Sequence, residues 1–375
     1  RHRRHRRQSC CVVVVVGARR AVGDHVAGDE LIISSSDVTG VPEYHTVVAV
    51  SANGLVVTLA SALAWDHIGT VVTVPGVPLD EHGNVRVVDG RSTISLLSRN
   101  IEIRGGYDTT YDYISGVGPD LTDYGATIHV LGGYYEDKDG WDFTDPGYEV
   151  YGRWWFPEGA ISALSWVRFR GCGKQFDIYM QLVRFPVLDM SGSSDGFDLT
   201  MNGVVMTEPL GGMVFDKQEY ITTASKIGLT IRDAVFVGYG MNLAPASGVT
   251  HAMLRSVMFG GEECRIECPP IKMLLVSTAG GGALRLQDNV ATGALGGVVI
   301  QGGCGGYELF DNNVAIGNGL GFLLYPSDDT CTNLPLIAYR NSVGIGAGAS
   351  ALSNVFAAEN GAGIAPVTDF LLKPR

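Results

Sequence analysis

The sequence predicts an all-β chain: a short-stranded β unit over residues 24–105 that continues into a right-handed parallel β-helix over residues 106–375. Three observations carry this. Glycine supplies 51 of 375 residues, about twice its ordinary share. Charged residues make up only 18% while hydrophobic residues reach 46%, a balance that excludes disorder and coiled coil. Short apolar strands separated by polar corners recur every 20 to 30 residues from about residue 125, without helical i, i+3, i+4 spacing.

Residues 1–23 are atypical. The heptad RHRRHRR and the adjoining SCCVVVVVGA have the shape of a signal peptide, a basic n-region before a short apolar stretch, but no initiator Met precedes them. A gene-model artefact or the edge of a longer chain fits the same residues. The heptad could also hold a polyanion, yet it carries five of the 27 Lys and Arg residues, so the body is more acidic than the net charge of −12 implies. An acidic body argues against a nucleic-acid surface. No apolar run approaches ~18 residues, so no membrane span is expected.

Residues 24–105 alternate apolar and polar positions in ELIIS, HTVVAVS, LVVTLAS, TVVTVPG, VRVVDG and SLLSRNIEIRG, each bounded by Gly, Pro, Asn or Asp. The solenoid copies come next. The clearest are GGALRLQDNVATGALGGVVIQGG, YELFDNNVAIGNGLGFLLYP, LIAYRNSVGIGAGAS and LSNVFAAENGAGIAPV; ISALSWVRFRGCG, FDLTMNGVVMTEPLGGMVF and KIGLTIRDAVFVGYGMN are weaker. Eight or nine coils at ~4.8 Å would make a rod near 40 Å long. Asn289, Asn313 and Asn341 fall at corresponding corners and predict an asparagine ladder, since stacked amides hydrogen-bond from coil to coil.

Seven cysteines offer no CxxC pair, which disfavours zinc. Cys304 and Cys331 lie one coil apart in loop-like segments, and Cys264 and Cys268 bracket a tight loop. Both pairs are disulfide candidates, and with them an oxidising compartment is expected. Asp137, Asp139 and Asp142 in EDKDGWDFTD could ligate calcium, a hard cation that wants several oxygens, or form a solvated hairpin tip. Calcium is the one cofactor the sequence offers. Tyr151, Trp154, Trp155 and Phe156 in EVYGRWWFPEG either pack on the solenoid or present a sugar-stacking platform. His251 stands alone and reads as a satisfied histidine. No catalytic residue is assigned: the carboxylate pair of a glycosidase is not legible, nor is a phosphate loop or a Ser-His-Asp arrangement.

The run GDELIISSSD, PEYHTVVAVSANGLVVTLASALAWDHIG and LLSRNIEIRG resembles the G8 domain, through its Glu-x-His-Thr-Val strand, the turn at Leu63, His67 and Gly69, and the exit at Leu97, Arg99, Asn100, Ile101, Ile103 and Gly105. The remainder of the chain is similar to the β-helix that trails a G8 domain in the fibrocystin family. Cys304 and Cys331 fall where that family has cysteines. The resemblance runs from about residue 24 to 366, loosely over 134–160 and 240–280. It departs from the pattern at the N-terminus, where the tryptophan-containing entry of a G8 domain is missing.

The resemblance implies a non-enzymatic extracellular or cell-surface module, the ciliary membrane included, that binds a glycan or another extracellular protein, self-assembles, or joins flanking domains of a longer chain. The rival it implies is a depolymerase of hyaluronan-like, uronic-acid polysaccharide, as in the enzymatic G8 branch. His67, Arg99 and Asn100 recur in the G8 motifs. A structural role would bond His67 to turn backbone and Arg99 to an acidic residue at the junction with the solenoid. A binding role would set the same groups against a polyanion.

Overall fold

The computed structural model describes residues 12–14, 26–34, 42–53, 56–65, 67, 71–73, 87–104, 128–129, 133–135, 154–156, 163–172, 174–178, 181–185, 188–189, 198–207, 228–238, 241–245, 247–260, 272–278, 280–294, 296–301, 306–325, 334–348, 352 and 354–366. Within them the regular structure is almost all strand.

Eight strands open the chain: β1 (Val12–Val14), β2 (Glu30–Ile33), β3 (Glu43–Val50), β4 (Val56–Leu59), β5 (Val71–Thr73), β6 (Val87–Asp89), β7 (Ile94–Leu96) and β8 (Ile101–Arg104). Five form an antiparallel sheet in the order β1-β4-β3-β2-β7. The apolar stretch after the basic heptad thus supplies β1, with Val12 opposite Thr58. Along β3 the faces alternate: Glu43, His45 and Val47 are buried, while Tyr44, Thr46 and Val48 are exposed, the period of two that a strand imposes. Leu31, Ile33, Val47, Val57 and Leu59 make the core of this unit.

The rest is a parallel β-helix. A nine-stranded parallel sheet runs from β8 through Val167–Arg170, Val205–Thr207, Val235–Val237, Val257–Phe259, Val290–Thr292, Asn313–Ile316 and Leu336–Tyr339 to Val355–Ala358. Two six-stranded parallel sheets complete the coils, a first from Ala163–Ser165 to Tyr307–Asp311 and a second from Met241–Leu243 to Ala362–Pro366. Nine rungs at ~4.8 Å give a rod of about 40 Å. Between the sheets lies one continuous apolar stack that includes Phe169, Met206, Phe236, Met258, Phe322 and Leu336.

Between its two end strands the nine-stranded sheet is largely buried on both faces, as unbroken apolar strands such as VFV and VMF require. Its outer face is covered by the N-terminal unit. Ile32 and Leu97 pack on Val205, Val235, Val237 and Phe259, Pro42 lies against Gly293, and Val72 joins Ile316, Ile337 and Tyr339. Ile32 and Leu97 are both fully buried, a contribution of about 1.5–3 kcal/mol each. The antiparallel unit therefore lies along the rod rather than preceding it.

Two details go beyond the sequence reading and one departs from it. GVTHAMLRSVMFGG is a full coil, with strands Thr250–Leu254 and Val257–Phe259, although Arg255 and Ser256 stand where its neighbours carry Asp or Asn. The ATIHV segment contributes Ile128–His129, paired with Leu188–Asp189 outside the three main sheets. Asn313 and Asn341 do not share a corner, because the partner of Asn313 one rung on is Leu336. Cys264, Cys268, Cys304, Cys331, Asp137, Asp139 and Asp142 lie outside the described residues.

Candidate functional site

The polar residues of the solenoid concentrate at two corners. Where the chain leaves the first six-stranded sheet for the nine-stranded one, a single residue turns it with positive φ: Trp166, Gly203, Asp233, Arg255, Asp288 and Asn312, at 49–64°. Gly, Asn and Asp accept this left-handed backbone readily, whereas Trp and Arg do so only under tertiary constraint. Their side chains meet from coil to coil. Arg255 donates from Nε and one Nη to the two carboxylate oxygens of Asp233, both at 3.1 Å, and this pairing raises its pKa. Asn312 Nδ2 donates to Asp288 at 2.5 Å. At the second corner Arg340 and Glu359 have positive φ in place of Gly171, Gly238, Gly293 and Gly317, and they pair at 2.7 Å.

Where the residue after such a turn is polar, it points inward and builds a ladder. At the first corner Asn313 Oδ1 accepts the amide of Asn289, Asn289 Oδ1 accepts the amide of Ser256, and Ser256 Oγ accepts the amide of Ala234. At the second, Asn318, Asn341 and Asn360 repeat the scheme. The dipeptides Asp-Asn, Asn-Asn, Arg-Asn and Glu-Asn thus read as one left-handed outward residue followed by one inward amide. The spacing of 24 from Asn289 to Asn313 is a true coil; the true partners of Asn341 are Asn318 and Asn360.

The densest titratable cluster lies in the N-terminal unit around Glu43. Its carboxylate accepts backbone N–H bonds from Ala64 at 2.6 Å and Trp65 at 3.0 Å, and it meets His67 Nε2 at 2.8 Å and His45 Nε2 at 3.3 Å. Burial alone would raise this carboxyl, but the Ala64 amide, His67 and the Trp65 amide outweigh it and hold Glu43 below its ordinary value. His67 Nδ1 lies 2.9 Å from the Ser34 carbonyl and 3.1 Å from Ser92 Oγ, and its side chain is 9% exposed. The cluster pins the turn at residues 61–67 to β3 from inside. Glu43 and His45 went unassigned in the sequence reading, although the Glu-x-His spacing places both on one face of a strand.

Arg99 joins the unit to the second coil. Its guanidinium donates to the carbonyls of Gly203 at 2.5 Å, Leu96 at 2.9 Å and Ser98 at 2.6 Å, and it lies 5.5 Å from the centre of the exposed Trp166 ring. On the neighbouring rung Arg168 bonds Glu30 and lies 3.8 Å from Glu102. Arg168 and Trp166 carry no sequence signal, because only the pairing of distant rungs brings them there. Asn100 is exposed just ahead of β8. Trp154 and Trp155 lie in a strand opposite Gly133–Tyr135.

The structure corrects the reading of His251. It sits inward between Leu229 and Leu284, and its Nδ1 has no hydrogen-bond partner among the described residues. Burial pushes its pKa down to about 4. The same burial raises Tyr307, stacked next beyond Leu284. Among the described residues no group of three or more His, Cys, Asp or Glu side chains could hold a metal ion, and no helix is long and apolar enough to cross a membrane.

No family model matches the chain. Human Fibrocystin-L is 32% identical over 120 residues and mouse Fibrocystin-L is 31% identical over 121, each alignment covering 31% of this chain. The chain spans about 3% of the length of these curated relatives. Over that stretch the chain resembles the fibrocystin family.

Proposed function

We propose that the chain is a non-enzymatic module of a larger fibrocystin-like protein, exposed outside the cell or at its surface, the ciliary membrane included, where it binds a glycan or serves in assembly. The observation that carries this reading is how the polar corners are used. Asn ladders, the Asp233–Arg255 pair and the Arg340–Glu359 pair satisfy one another along the rod, an arrangement suited to holding shape. Glu43, His45 and His67 are likewise turned inward on their own turn. Among the described residues, exposed Trp166 beside Arg99 sets a flat ring next to a cation, which suits an anionic sugar.

The test is a glycan array probed with the purified chain, run beside light scattering. Retention of a uronic-acid glycan that falls at least tenfold in Trp166→Ala, or a defined assembly, is the expected result. A monomer that retains no glycan overturns the reading.

A further inference from the structure

The last described coil is written to receive another. In the second six-stranded sheet, Gly297, Gly321, Gly344 and Gly363 occupy one position on successive rungs, as the flanking register shows. A Cβ on Gly297 would stand 2.3 Å from the Gly321 carbonyl oxygen, one on Gly321 2.5 Å from that of Gly344, and one on Gly344 2.6 Å from that of Gly363. Each of these three is glycine because the rung above occupies the space of its side chain. Gly363 has no described atom within 4 Å of such a Cβ, and its φ is not left-handed. Neither its backbone nor its described surroundings call for glycine; a rung above it would.

The asparagine ladder agrees. Asn318 Oδ1 accepts the Ala294 amide, Asn341 Oδ1 the Asn318 amide and Asn360 Oδ1 the Asn341 amide. The backbone amide of Asn360 comes next, and no acceptor for it stands among the described residues. The edge is also under-buried. Leu336–Tyr339 is buried throughout, whereas Val355–Ala358 directly above is half-buried along its length, and Ile364 is 56% exposed.

We propose that the edge formed by Val355–Ala358 and Ala362–Pro366 is a docking surface for one further parallel β-coil, which sets an asparagine over Asn360 and a glycine over Gly363. Main-chain pairing supplies affinity and the amide supplies register. A second copy of this chain fits poorly. The strand at the other end of its nine-stranded sheet is β8, and the sequence two residues past β8 offers Gly106, with no side-chain amide. Pro366 lacks an N–H and limits pairing at the end of its strand, three residues beyond Gly363. The inference stands on solenoid geometry and does not depend on glycan binding.

The probe is the full chain with residues 348–366 repeated in tandem after Pro366, which places a second Asn and a second Gly one coil above the first. Amide exchange at Asn360 and Ile364 should slow by about 100-fold relative to the unextended chain. Alanine at the ladder position of the added coil should return at least tenfold of that protection. Gly363→Val should be neutral in the unextended chain and abolish the protection in the extended one. Unchanged exchange with a protease-sensitive added segment overturns the proposal. So does concentration-dependent association of the unextended chain that protects the same amides, since it assigns the edge to a second copy.

Discussion

Asn341 Oδ1 accepts both the backbone amide of Asn318, at 2.9 Å, and the Nδ2 of the same residue, at 3.1 Å. Its own Nδ2 donates to the Ala315 carbonyl at 2.9 Å. One buried side chain therefore closes three polar groups of the rung below. Asn341→Ala leaves several of them buried and unpaired and should cost about 3 kcal/mol, read by denaturant unfolding. Asn360→Ala, at the half-buried end of the ladder, should cost about 1 kcal/mol.

Gly203 makes room for Trp166. A Cβ there would lie 2.7 Å from the indole ring, at φ +64°. Gly203→Ala should cost about 2 kcal/mol in strain and lost packing and change the fluorescence of Trp166. An unchanged emission spectrum, against a Trp166→Phe reference, would show that the ring does not rest on this glycine.

Glu43 gives the N-terminal unit an acid-sensitive joint. Its carboxyl is held below the ordinary 4.5 in the folded chain, so the unfolded state takes up a proton first as pH falls. The stabilisation is complete above pH 4.5 and is lost as pH drops through the lower folded value. Glu43→Gln should flatten that part of the stability profile. It should also destabilise the chain at pH 7 by about 2 kcal/mol, because an amide cannot accept at every position the carboxylate does.

His251 shifts stability with pH in the same direction, over a higher pH range. Its folded pKa is lowered from 6.5 to about 4, so between these values the unfolded chain binds the extra proton and stability falls as pH falls. His251→Leu continues the column of Leu229 and Leu284 and should stabilise the chain. The gain should grow from about 1 kcal/mol at pH 7 to roughly 4 kcal/mol at pH 4. Equal unfolding midpoints for the two proteins at pH 5 would contradict the burial of an imidazole whose Nδ1 has no hydrogen-bond partner among the described residues.

How much was legible in the sequence depends on the range of the interaction. Strand faces such as Glu43–His45–Val47 follow from a period of two, and the Asp-Asn and Asn-Asn corners announce themselves because few other pairs combine a left-handed turn with an inward amide. Pairing across coils was less visible. Asn313 and Asn341 looked equivalent because both come after a polar residue between strands, yet they belong to different corners of the coil. The seat of the N-terminal unit on the nine-stranded sheet left only an indirect trace, the unbroken apolar strands. Arg168 reaches Glu30 across 138 positions, a distance over which local pattern carries no information.

We propose that the polar groups of this solenoid maintain its shape rather than cleave a polymer. Size-defined hyaluronan and other uronic-acid polymers incubated with the purified chain, with and without calcium, test it most directly through the product length distribution. Unchanged chain lengths under all conditions are predicted; progressive shortening that tracks the purified protein would contradict the account.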